Sequence, residues 1–213
     1  MEHEIHIQEK TQYPDMQQRY REMMQLYDAA IREVPTKLEI LDSEFKVRYS
    51  RNPIHHIDSR LKSRNSIAEK LRRKELPATI EAAEENLTDI AGIRVICNYL
   101  DDIYLVARLL TRQRDVELVE EKDYILNPKE SGYRSLHLVI RIPVFLSSHS
   151  EMVPVEVQIR TIAMDFWATL EHQLRYKSDH ETTQNLRRRL QKCAETSAAL
   201  DAEMQEIYRE INK

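Results

Sequence analysis

The apolar positions of this chain repeat with one period at its two ends and another in its middle. Tyr13, Met16, Tyr20, Met23 and Tyr27 alternate at spacings of three and four, the signature of an amphipathic helix. The pattern predicts helices over residues 14–33 and 37–49, with that stripe as packing surface. After Pro53 it predicts a basic helix over 58–74, ending before Pro77, and a short helix over 78–86. Residues 93–99, 116–125, 136–146 and 152–160 read as strands, with a helix over 101–112. The polar turn 147–150 makes the last two strands an antiparallel hairpin. From Ile162 the chain reads as helical to its end, with a break near 178–181. Leu186, Leu190, Cys193, Ser197, Leu200, Met204, Ile207 and Ile211 then recur at 4-3-4-3-4-3-4, a heptad seam weakened at Cys193 and Ser197. Such a seam packs on its own domain or against another subunit.

These elements predict an α+β fold: a mixed β-sheet of about five strands flanked by helices, with N- and C-terminal helical extensions. The divisions expected are N-terminal helices over 1–52, a catalytic core over 53–178 and a C-terminal oligomerisation helix over 179–213. A chain of 213 residues suits one such domain and buries roughly 70% of its unfolded surface. Cys97 lies in the apolar run 95–97 and reads as a small core residue, and two cysteines make no disulfide framework. The N-terminal residues lack a signal-peptide pattern and no run of about 18 apolar residues exists, so a soluble, reduced, cytoplasmic protein with no membrane association is expected.

Charge narrows the field. The net charge of −4 hides a segment, 46–74, with ten Lys or Arg against only Asp58 and Glu69. That segment carries +8 and the remainder −12. A basic field on an acidic protein suits a compact polyanion, such as a nucleoside triphosphate, better than a long nucleic acid. Only two glycines occur, Gly92 and Gly132, and each lies beside possible phosphate and metal contacts. Glycine costs backbone entropy but permits turns and close approaches, so both are expected to be required. In 155–160, Val155, Val157 and Ile159 alternate with Glu156, Gln158 and Arg160. The polar side of that strand is expected to floor a site. Asp89, just before a strand, and Glu156 are placed to hold Mg²⁺, which prefers oxygen ligands and shares them with phosphate. Arg60, Lys62, Lys70, Arg73, Arg94, Lys129, Arg134 and Arg160 supply cations. Phosphoryl transfer asks for little more than positioning and charge. On a continuous helix Lys62, Ser66, Lys70 and Arg73 would share one face.

Four segments then resemble the synthetase domain of the RelA/SpoT family: Arg60-Leu-Lys-Ser-Arg-Asn-Ser-Ile-Ala-Glu-Lys-Leu-Arg-Arg-Lys74, Asp89-Ile-Ala-Gly-Ile-Arg94, Lys129-Glu-Ser-Gly-Tyr-Arg-Ser-Leu-His137 and Glu156-Val-Gln-Ile-Arg-Thr161. Met164-Asp-Phe-Trp-Ala-Thr-Leu-Glu-His172 resembles the small, single-domain alarmone synthetases. The resemblance implies a nucleotidyltransferase-like fold, homotetramers and a GTP pyrophosphokinase. ATP would give its β,γ-pyrophosphoryl group to the 3′-hydroxyl of GDP or GTP, without a hydrolase domain. It implies that Arg60 and Arg94 sandwich adenine and that Lys62, Ser66, Lys70 and Arg73 hold ATP phosphates. Asp89 and Glu156 would bind Mg²⁺, with Glu156 also the base. Tyr133 would stack on guanine, with Lys129, Arg134, His137 and Gln158 around the acceptor. Single-stranded RNA is a further expected partner, and an inactive scaffold would have lost a motif carboxylate; both are present.

Overall fold

A computed structural model describes residues 16–177 and 184–212. The elements run α1 (Met16–Tyr49), β1 (Ile54–Leu61), α2 (Arg64–Arg73), α3 (Ile80–Asn86), β2 (Ala91–Cys97), α4 (Leu100–Thr111), β3 (Glu117–Asp123), β4 (Leu136–Phe145), β5 (Ser150–Thr161), α5 (Ile162–Lys177) and α6 (Gln184–Ile211). The strands form one mixed sheet in the order β1-β2-β5-β4-β3. Only the β2–β5 pair is parallel; β4 and β5 form the expected hairpin. The anticipated α+β sheet with terminal helices is therefore what the chain adopts. The expected break near 178–181 and the position of Tyr13 lie outside the described residues.

The period-2 alternation of β5 decides how the sheet sits. Val155, Val157 and Ile159 are fully buried, in one cluster with Met23, Tyr27, Ala30, Val34 and Leu38 of α1 and Ile103, Val106 and Leu110 of α4. Each such side chain contributes roughly 1.5–3 kcal/mol relative to exposure. A one-residue slip of β5 would exchange them for Glu156, Gln158 and Arg160, so the register is held firmly.

Two sequence expectations need correction. The N-terminal helices are one: α1 runs unbroken through Pro35. Proline lacks the N–H that the Ile31 carbonyl would accept, but Val34 and Leu38 are fully buried on either side. Tertiary burial outweighs the local break. The predicted basic helix over 58–74 is instead a strand, β1, followed by α2. β1 pairs along β2 from Ile54↔Cys97 to Leu61↔Ala91, and Ser63 starts α2 as its N-cap, its side chain accepting from the Ser66 N–H. Lys62 is therefore not on a helix.

The seam on α6 divides between the two alternatives. Its domain-facing side carries Ala194 and Gln205, both buried. It is fastened by the Trp167 indole N–H donating to the Leu190 carbonyl (3.0 Å), by Ser197 Oγ donating to the Ala163 carbonyl (3.1 Å) and by Thr161 Oγ1 donating to Asp201 (2.6 Å). Farther along, the Asp101 N–H reaches the Gln205 side-chain oxygen (2.8 Å) and Tyr208 stacks on Tyr99. Small residues allow α6 to approach α5 closely. The heptad therefore splits: Leu190 and Ser197 turn partly inward, while Cys193, Leu200, Met204, Ile207 and Ile211 are exposed. Beside them α5 exposes Ile162, Phe166 and Leu170. The seam thus packs on its own domain in part and leaves the rest exposed. No described helix is long and apolar enough to cross a membrane.

Candidate active site

Opposite the apolar face, the parallel pairing of β2 with β5 sets Gly92 beside Glu156 and Arg94 beside Gln158. These four, with Asp58, Ser59, Arg60, Lys62, Asp89 and Ile93, line a cleft of about 460 Å³. The polar side of β5 thus floors a cavity, as its alternation implied.

Asp89 stands at the cleft's end, ahead of β2. Lys62 leaves β1 at the same end, its N–H bonded to the Ile90 carbonyl (2.8 Å). The Lys62 and Lys70 ammoniums both lie 2.6 Å from Asp89 Oδ2. Burial pushes the Asp89 carboxyl up, but hydrogen bonds from these two lysines outweigh it and hold the group below the ordinary range. The other oxygen, Oδ1, is buried with no hydrogen-bond partner. Two cations on one carboxylate leave a net positive charge that favours an anion nearby. Ser66 and Arg73 lie on the Lys70 helix; the Ser66 hydroxyl bonds the Ser63 hydroxyl (2.9 Å) and Arg73 is exposed.

A second group centres on Glu156, beside Gly92 in the strand register and close enough to Asp89 for the two carboxylates to interact. Glu156 Oε2 accepts from the Gln158 amide (2.8 Å), and His137 Nδ1 lies 3.6 Å from Glu156 Oε1. Burial raises the Glu156 carboxyl, yet His137 and Gln158 prevail and the net direction is down. Glu156 is ionised at neutral pH. His137 Nε2 sits 2.8 Å from the Tyr133 hydroxyl, which accepts from Arg160 Nη2 (2.6 Å). In the tautomer in which the tyrosine hydroxyl donates to Nε2, Nδ1 carries the proton that faces Glu156. Lys129 lies over both the Tyr124 and Tyr133 rings, at 4.4 and 4.9 Å. Arg134 lines a small void with Gly132, Trp167 and Ala194 rather than the cleft.

Arg160 does more than add charge. It is buried and donates to Ser135, Asp165, Gln158 and Tyr133, using Nε, Nη1 and Nη2. Asp165 Oδ1 also lies 3.5 Å from Arg94 Nη1, so one carboxylate joins cations from both halves of the site. Neither role was visible in the sequence; the only hint was an arginine completing an otherwise regular strand. Tyr124, edge-on to His137 at 5.1 Å, was also missed because it follows a strand with no motif of its own.

The two glycines have different causes. Gly132 has φ +89°, and a Cβ there would meet Ala194 Cβ at 2.6 Å, so the fold itself demands glycine. At Gly92 an added Cβ would meet only the Arg60 carbonyl, at an ordinary 3.6 Å. The protein's own packing does not require glycine there. Gly92 and its neighbour Glu156 both line the cleft, so a Cβ there would take up cleft space.

A family profile described as "Region found in RelA / SpoT proteins" matches residues 59–181. The chain belongs to the RelA/SpoT family. The matched region spans β1 to the end of α5 and contains both carboxylates. A relative from Bacillus subtilis (strain 168), the GTP pyrophosphokinase YwaC, is 43% identical over 187 residues, covering 88% of this chain and 89% of its own. The crystal structure of small alarmone synthetase 1 from Bacillus subtilis bound to its product pppGpp aligns with a TM-score of 0.84 at 39% identity, over 93% of this RelA/SpoT chain and 100% of that one. Small alarmone synthetase 2 from the same organism aligns at 0.82 and 42% identity, over 90% and 98%.

Gly92→Ala separates site from scaffold. Its thermal stability should hold or rise by up to about 1 kcal/mol, because alanine is the better strand residue. Its nucleotide affinity should fall by about tenfold, as for a contact of roughly 1.4 kcal/mol lost in the cleft. A destabilised variant with normal binding would place the constraint in the fold instead.

Proposed function

We propose that this chain is a GTP pyrophosphokinase, transferring the β,γ-pyrophosphoryl group of ATP to the ribose 3′-hydroxyl of GDP or GTP and releasing AMP. The observation that carries this reading is the shared cleft: Asp89 under two lysines, ionised Glu156 close enough to interact with it, and Arg60 and Arg94 lining the same cavity. Arg60 and Arg94 are the adenine-side residues, since a guanidinium plane stacks well on a base. Lys62, Ser66, Lys70 and Arg73 receive the ATP phosphates, the two lysines exchanging the Asp89 carboxylate for phosphoryl oxygens. On the acceptor side Tyr133 stacks on guanine, with Lys129, His137 and Gln158 around the phosphates and ribose; Arg134, which lines the neighbouring void, would have to turn toward them to join.

Glu156 accepts the 3′-hydroxyl proton. The freed oxygen attacks the ATP β-phosphorus, and the bond from that phosphorus to the α–β bridging oxygen breaks as AMP departs. The His137 proton and the Gln158 amide hold the carboxylate charged and oriented before the reaction. Asp89 and Glu156 fit a divalent cation such as Mg²⁺: both carboxylates are held ionised, and Asp89 Oδ1 is buried and takes no hydrogen bond. Bound there, the ion would offset charge on the transferring phosphates. The exposed apolar residues of α5 and α6 support self-association, with a homotetramer as the assembly.

Labelled ATP incubated with the protein, Mg²⁺ and either acceptor should yield AMP and a guanosine 3′-pyrophosphate, resolved by thin-layer chromatography. Glu156→Gln should lower kcat by at least about 10²–10⁴-fold, the usual contribution of a general base; full activity in that variant would remove Glu156 from the mechanism. Because its carboxyl lies below the ordinary glutamate value of about 4.3, kcat/KM should show no acid limb from the base above about pH 5. A limb nearer neutrality would assign proton removal to another group. Leu200→Asp with Ile207→Asp should reduce the mass measured by light scattering, and an unchanged mass would remove α6 from the assembly.

A further inference from the structure

The loop that carries Tyr133 rests on two helices. Gly132 adopts φ +89°, and its open side faces α6 and α5: an added Cβ would lie 2.6 Å from Ala194 Cβ, with the Gln191 Cα and Trp167 Cζ2 each 3.8 Å away. Trp167, Ala168 and Ala194 form a small buried cluster separate from the main core, and Tyr133 packs on it. The helix is pinned at this level by the Trp167 indole N–H on the Leu190 carbonyl. The loop's internal hydrogen bonds, Gly132 N–H to the Lys129 carbonyl (2.8 Å) and Lys129 N–H to the Tyr133 carbonyl (3.2 Å), close a tight turn; His137 and Arg160 hold the tip of the Tyr133 ring, and α6 backs its base at Gly132. We propose that α6 is the seat of the acceptor loop and that Ala194 is a positioning residue which, through Gly132, sets the plane of the Tyr133 ring for the acceptor base.

This inference rests on the acceptor-side reading of Tyr133. The donor half of the cleft is lined by β1, β2 and the residues beside them, and no residue of α6 lines it. A change at Ala194 therefore acts on one nucleotide and not the other. A group that merely supported the fold would affect both. Trp167 is the chain's single tryptophan, so its emission reports the seat directly.

The test is Ala194→Val, read by calorimetric titration of GDP into the full chain without ATP, and by separate KM values for ATP and GDP. Two added methyls push Gly132 outward, so the GDP Kd and KM should rise by about tenfold or more, as small misplacements of a binding group do. KM for ATP should stay within about twofold, and Ala202→Val, at an exposed position of the same helix, should match the parent on both. Trp167 emission should shift in Ala194→Val before any nucleotide is added. Unchanged GDP affinity, or equal rises in both KM values, overturns the proposal. Should Ala194→Val fail to fold, Gly132→Ala carries the test against Gly132→Ala with Ala194→Gly: removing the opposing methyl should recover at least about threefold of the lost GDP affinity, and no recovery overturns the seat. A parent protein that binds no GDP removes the acceptor reading and this inference with it. GDP binding by the parent that is indifferent to Ala194 removes only the seat.

Discussion

The parallel pairing of β2 with β5 is the contact on which the rest of this molecule depends. It aligns Gly92 with Glu156 and Arg94 with Gln158, and so puts a bare stretch of backbone, a carboxylate, a guanidinium and an amide on one side of the sheet. The three apolar residues between them, Val155, Val157 and Ile159, hold that alignment by facing the helices on the other side. The site and the core are thus two faces of a single strand. Any force that keeps the core intact also keeps Glu156 beneath the cleft.

Electrostatics in the cleft are arranged around exchangeable partners. Without nucleotide, Lys62 and Lys70 neutralise Asp89, and His137 faces Glu156. Neither carboxylate has to be desolvated alone, and neither lysine stands unpaired. Phosphate can take the lysines while a cation takes the carboxylate, so the number of compensated charges is conserved when substrate enters. This limits the reorganisation demanded during the reaction, which is where preorganised sites gain most.

The sequence revealed the parts of this arrangement that depend on local pattern. The alternation of β5, the hairpin with β4 and the two carboxylates could all be read from spacing. What it concealed were features set by distant partners. β1 looked helical because an edge strand with His55, His56, Asp58 and Arg60 lacks the apolar alternation of a half-buried strand; only its pairing with β2 makes it one. The helix break at Pro35 vanished because the sheet beneath it rewards continuity. Lys62 reaches Asp89 from a strand end and not a helix face. The joint role of Asp165 in binding Arg94 and Arg160, and the packing of Ala194 on Gly132, join positions dozens of residues apart and leave no trace in periodicity. Gly92 and Gly132 look alike in sequence, yet one answers to backbone conformation and the other to open space.

The C-terminal helix has two working sides. One presses on the turn beside Tyr133; the other exposes Leu200, Met204, Ile207 and Ile211 to solvent. A rigid rod cannot shift on one side and stay still on the other. If a neighbouring copy covers the outer residues, then subunit association and acceptor affinity become linked equilibria, each altering the other by the same factor. The abundance of the protein itself would then help decide how readily it takes up its guanine nucleotide.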